Sequence, residues 1–201
     1  LGLIFFCLPN SLALHNSGFA LGVLISIFGG YFYHHWNNLK KEPLTWVILV
    51  LFLLVCLAAT HSLSSWDAAL GVTFNKYSKI ILALFIFALF LDEKNRTLCY
   101  KAFFIGSIVV LITTYLNVWF NIPWSVTKNT GWGVDHTVFG NYITQSLMMS
   151  FFVLMCFHYA RNTLNIKFKV VLFCLSLLAI GSIFYLSNGR TGYLAILVGV
   201  F

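Results

Sequence analysis

The run Ser187-Asn188-Gly189-Arg190-Thr191-Gly192-Tyr193 sets a permanent cation between two apolar stretches. A guanidinium presents a planar fork of donors that matches the oxygens of a phosphate. If a helix starts at this point, its first N–H groups lack intrahelical partners and point the same way, so charge and backbone together make an anion site. Gly189 and Gly192 would let a bulky ligand approach the backbone, and Ser187 and Thr191 can cap the helix or donate to the ligand. The competing explanation is an ordinary interfacial turn whose arginine snorkels to lipid headgroups.

A second group with chemistry is Asp135-His136-Thr137. Histidine titrates near neutrality, so His136 is a candidate for acid–base work, for holding a ligand, or for a plain place at a membrane interface. Asp135 either orients the imidazole or is only its neighbour. His61 and Asp67 are weaker candidates of the same kind, and Lys76 and Lys79 either attract phosphate or snorkel from a short helix. The five cysteines stand singly, without a CxxC pair or metal-ligand spacing, so no disulfide framework or zinc site is implied.

The elements that position these groups follow from composition. Sixty per cent of the residues are apolar and 8% are charged, too little polar surface to cover a globule in water. The surrounding solvent is therefore lipid. Apolar runs broken by polar ones predict helices over 3–14, 18–33, 44–60, 77–91, 102–120, 138–159 and 168–186, with another beginning near 192. The expected fold is an all-α polytopic transmembrane bundle of about seven to eight spans. The first and fourth runs are short for a crossing. Leu1 opens the chain and Phe201 closes it inside an apolar run, as expected of a segment of a longer membrane protein.

The formal net charge of +7 would suggest nucleic acid in a soluble protein, but here the basic residues cluster in short connections. These are topology signals, and no nucleic-acid partner is expected. The connections 34–43, 92–101 and 160–169 hold Lys40, Lys41, Lys94, Arg96, Lys101, Arg161, Lys167 and Lys169, and they recur after every second span. By the positive-inside rule they are cytoplasmic, as is the N-terminus. His34 and His35 share that side and are expected to set orientation and touch anionic lipid. The opposite connections, 61–76, 121–137 and 187–191, carry Trp66, Trp119, Trp124 and Trp132 at their edges, as an interfacial aromatic belt requires. Arg190 thus opens a helix on the outer face, where both topology and the helix dipole disfavour a cation.

An apolar span that ends in this seven-residue turn and continues into another span resembles the start of the conserved domain of the O-antigen ligase and polymerase superfamily. The stretch Gly131 to Gln145 (GWGVDHTVFGNYITQ) is similar in position to the family segment before that domain. The resemblance implies residues 1–186 as N-terminal transmembrane helices and 187–201 as the beginning of the ligase-type domain. It implies an inner-membrane glycosyltransferase working at the periplasmic face of a bacterium, with Arg190 on the donor pyrophosphate. The donor would be a glycan on undecaprenyl pyrophosphate and the acceptor a lipid A core sugar, another lipid-linked glycan, or a protein. The family's usual candidate for activating the acceptor is a histidine in a large periplasmic loop further along, which is not in this sequence.

A transporter or flippase for a lipid-linked glycan is the main alternative, and a non-catalytic membrane assembly component is a third. Charged residues well inside the spans are missing, which counts against a proton-coupled carrier. Thr113, Thr114, Asn117 and Gln145 are instead expected to tie helices together.

Overall fold

The computed structural model describes residues 2–7, 12–60, 77–187 and 190–200, and regular structure among them is helical, with no strand. The chain divides into two compact units, residues 17–98 and residues 2–16 with 99–201. Helices α1 (Gly2–Cys7) and α2 (Leu12–Phe28) come first.

In the first unit, α2 is followed after Gly29 and Gly30 by α3 (Tyr31–Leu39), and the two are bent by 85°. Gly30 has φ 72°, a left-handed conformation that glycine adopts without a Cβ penalty, so the glycine pair makes the corner. Next come α4 (Pro43–Thr60) and α5 (Ser78–Phe90), and both α3 and α4 pack on α5. Phe32 meets Phe85 with ring centroids 4.5 Å apart. Lys40 lies 4.9 Å over the Trp36 ring, and Trp46 Nε1 donates to the Lys40 carbonyl at 3.0 Å. Helix α4 is apolar throughout and leaves Leu51, Leu53, Leu54 and Leu57 exposed, a surface that belongs against acyl chains.

Helix α6 (Glu93–Trp119) leads from the first unit into the second, which continues with α7 (Tyr142–Asn162), α8 (Ile166–Tyr185) and α9 (Arg190–Val200). Asn141 and Asn165 start α7 and α8 by accepting from Ile143 N at 3.0 Å and Lys167 N at 3.1 Å, as side chains that cap a helix do. The core joins Val110 and Leu111 of α6, Met149, Phe152, Val153 and Cys156 of α7, and Leu172, Ala179 and Ile183 of α8. Helix α9 seats on α7 through small residues. A Cβ on Gly192 would lie 2.9 Å from Ser146 Cβ, one on Gly199 would collide with Leu154, and Ser150 Oγ donates to the Gly192 carbonyl at 3.0 Å. Such seams let backbones approach closely where lipid removes the hydrophobic drive between helices.

Among the described residues α4, α6, α7 and α8 are long and apolar enough to cross a bilayer, and the bent α2–α3 pair raises the number to five at most. The expected seven to eight spans are not supported. Helix α5, with 13 residues, covers about 20 Å against a hydrocarbon layer of about 30 Å. The run 18–33 does not continue as one straight helix, because the glycine corner interrupts it. The connection read at 34–43 is largely helix α3, and the one at 92–101 is largely the beginning of α6, whose first turn carries Glu93.

Candidate functional site

The loop between α6 and α7 meets the turn after α8 at one end of the second unit. Asn117, buried near the end of α6, organises that loop. Its Nδ2 donates to Ser125 Oγ at 3.0 Å and to the Thr127 carbonyl at 3.1 Å, while its Oδ1 accepts from Ile122 N at 3.2 Å. An amide within an apolar helix has to be satisfied in this way. Two stretches of the loop then pair through Val126 N on the Val138 carbonyl and Thr127 N on the Thr137 carbonyl, each at 3.1 Å. Gln145 fastens the loop to the helices: its Oε1 accepts from Val138 N at 2.9 Å, and its Nε2 donates to Thr114 Oγ1 at 3.1 Å.

His136 is fully buried in this arrangement. Its Nε2 lies 2.6 Å from the Gly131 carbonyl, which can only accept, so that nitrogen carries the proton. Gly131 has φ 94°, and this glycine-permitted turn brings its carbonyl round to the ring. The other nitrogen, Nδ1, is buried and has no hydrogen-bond partner among the described residues. Asp135 does not orient the imidazole. Its Oδ1 is occupied by Thr137, accepting from the hydroxyl at 2.7 Å and from the backbone N–H at 3.2 Å. A carboxylate two residues before its partner closes a local turn more readily than it reaches the adjacent ring.

The backbone of His136 makes the contact that joins the two segments singled out in the sequence, since His136 N donates to the Leu186 carbonyl at 2.9 Å. Ser187, next in the chain, is buried, and its Oγ donates to the Tyr142 carbonyl at 3.4 Å. The loop around His136 and the start of the 187–193 turn are therefore neighbours. Arg190 is the first residue of α9, and Thr191 beside it is exposed. Asn188, Gly189 and the side chain of Arg190 lie outside the described residues. Gly192 does not offer room to a ligand, because that room is taken by Ser146 and Ile183. Its smallness serves the seam between α7 and α9.

Trp119, Trp124 and Trp132 are exposed at this end, with Trp119 and Trp132 edge-on at 6.4 Å, as rings at a lipid–water boundary would be. Lys79 is exposed on α5, while His61, Trp66, Asp67 and Lys76 lie outside the described residues. His34 and His35 stand edge to face on α3, in the first unit, with ring centroids 4.9 Å apart. No group of three or more His, Cys, Asp or Glu side chains among the described residues could hold a metal ion. The Gly131 and Leu186 carbonyls shape the site without having marked themselves as parts of it, and Asn117, expected to tie helices together, holds the loop instead. Asn117 alone leaves a trace in the sequence, as an amide between Leu116 and Val118. Comparison of the chain with protein-family models, with curated proteins and with solved structures gives no match.

Proposed function

We propose that this membrane protein is a glycosyltransferase of the O-antigen ligase type, which moves a glycan from undecaprenyl pyrophosphate to an acceptor hydroxyl at the periplasmic face of a bacterial inner membrane. One observation carries the proposal: Arg190 opens α9, so a fixed positive charge belongs to a first helical turn, where backbone N–H groups have no intrahelical partner. In the reaction the acceptor oxygen bonds to the anomeric carbon as the bond from that carbon to the pyrophosphate oxygen breaks. The hydroxyl proton passes to a base, and undecaprenyl pyrophosphate leaves with the electron pair. Arg190 stabilises the charge that develops on the leaving group and neither gains nor loses a proton.

Ser187 and Thr191 flank this charge and support it, with Gly189 as the remaining supporting residue of the proposal. Ser187 contributes by anchoring the turn to the Tyr142 carbonyl, and exposed Thr191 is free to meet a ligand oxygen. His136 is a positioning residue in this scheme, because its free nitrogen is shut away from solvent. A lipid A core sugar is the first-choice acceptor, with another lipid-linked glycan or a protein as variants of the same donor chemistry. We take the connection between α7 and α8, with Arg161, Lys167 and Lys169, as cytoplasmic, so that the crossing of α8 sets the 187–193 turn outside.

Replacing Arg190 with Ala in the full-length protein and following glycan attachment in cells, with protein abundance measured in parallel, tests the assignment. Attachment should fall by about 10²–10³, the loss usual for one donor that stabilises developing charge. Unchanged attachment at normal abundance removes Arg190 from the mechanism.

The 85° break between α2 and α3 favours a second reading, a carrier for a lipid-linked glycan, since interrupted helices line the binding sites of many transporters. Purified protein in vesicles separates the two. A carrier moves the labelled lipid-linked glycan between leaflets without an acceptor, whereas a transferase yields a covalent product only when acceptor is present.

A further inference from the structure

We infer that the end of the second unit opposite the 187–193 turn is a binding site for an anionic phospholipid. Helices α7 and α8 run antiparallel, and at the end where residues 163–165 connect them they leave a groove of about 490 Å³. Its walls are apolar side chains at helical spacing, Phe157 and Ala160 from α7 with Ile166, Val170 and Phe173 from α8. Positions three, four and seven apart lie on one face of a helix, so each helix turns a continuous apolar stripe into the groove. Arg161 and Lys169, one from each helix, complete the lining with the only charges in it.

Charge complementarity selects the occupant. Of the chain's five acidic residues, only Asp135 belongs to the second unit, and it lies in the loop at the far end of α7. Arg161 and Lys169 therefore have no carboxylate of their own unit near them, and both are exposed. Two cations beside an apolar furrow at the end of a pair of spanning helices match a phosphate headgroup above an acyl chain. Free phosphate would use the cations and leave the furrow empty, and an uncharged lipid would use the furrow and leave the cations unmet. The site needs no glycan chemistry, so it stands or falls apart from the proposed transferase activity.

The test is native mass spectrometry of the full-length protein in detergent, titrated with phosphatidylglycerol or with phosphatidylcholine of the same chain length. Phosphatidylglycerol should be retained preferentially. Each cation near a membrane surface is worth about fivefold, so Arg161→Gln or Lys169→Gln should each weaken that preference by about fivefold and the pair together by about thirtyfold. Arg161→Lys should keep most of it, and a Lys40→Gln/Lys41→Gln variant, altered only in the first unit, should keep all of it. Filling the furrow with Ala160→Phe should lower retention of phosphatidylglycerol while both cations remain. Equal retention of the two lipids, an unaltered preference in the double variant, or displacement by inorganic phosphate as readily as by lipid would each overturn the assignment. If the double variant fails to fold, the two single variants read the same quantity.

Discussion

At His136 a single imidazole is held from two sides, by its ring on the Gly131 carbonyl and by its own backbone N–H on the Leu186 carbonyl. Only the ring contact depends on the side chain. Glutamine places an amide N–H close to where Nε2 stands but cannot titrate, so His136→Gln separates a strut from a base. The expected outcome is that His136→Gln keeps both abundance and glycan attachment close to those of the parent protein. His136→Ala should cost about 1–3 kcal/mol through the unmet Gly131 carbonyl and the space left behind, read as a lower thermal midpoint in detergent. Loss of attachment in a well-folded Gln variant would make His136 the base after all. The sequence showed that this histidine sits in a loop beside an acid, and proximity invited an Asp–His pair. The pair does not form, because Thr137 offers Asp135 two donors at once. Burial of the ring also had no local signal, and neither did the backbone tether to Leu186, which arrives from the end of another helix.

Among the elements, long apolar helices were readable and their polar extensions were not. The runs expected at 44–60, 138–159 and 168–186 correspond to α4, α7 and α8 with shifts of a few residues, since apolar length alone defines a crossing. Helix α6 begins at Glu93, well before the apolar run that revealed it, because charged residues beyond the bilayer can extend a helix as easily as end it. The seam between α7 and α9 was likewise hidden. Gly192 looked like an opening for a ligand, and only the facing Ser146 shows that the space is filled. Gly192→Val should therefore push α9 off α7 and destabilise the protein by about 1–3 kcal/mol, checked by thermal unfolding in detergent. Leu194→Ala, at a position 64% exposed on the same helix, should stay within about 0.5 kcal/mol. If both behave alike, close packing at Gly192 is not what holds α9.

Across the whole molecule, membrane residence was plain from composition, while the number of crossings was not, because a glycine corner divides one apolar run and another is too short. The nine residues of α3 include His34, His35, Asn37 and Asn38, a costly set to place in hydrocarbon, and Trp36 with Lys40 suits the boundary instead. Helix α3 is thus expected to lie along the surface while α2 does the crossing. With the native cysteines replaced, Tyr33→Cys and Lys41→Cys should react with a water-soluble maleimide from the same side at rates within about tenfold, since both then sit at the interface. Protection of Tyr33→Cys would place the corner inside the bilayer and support the carrier reading.

The bond from His136 N to the Leu186 carbonyl also has a meaning in time. The ribosome delivers the loop after α6 long before it delivers Leu186, and the whole α7–α8 hairpin must be threaded into the bilayer in between. During that interval the loop exists without its last tether, and the amide of His136 waits for a partner that has not yet been made. Final seating of the loop is therefore a late event in biosynthesis, gated by correct insertion of the hairpin. A hairpin inserted in the wrong register would leave this end of the protein open to quality-control proteases.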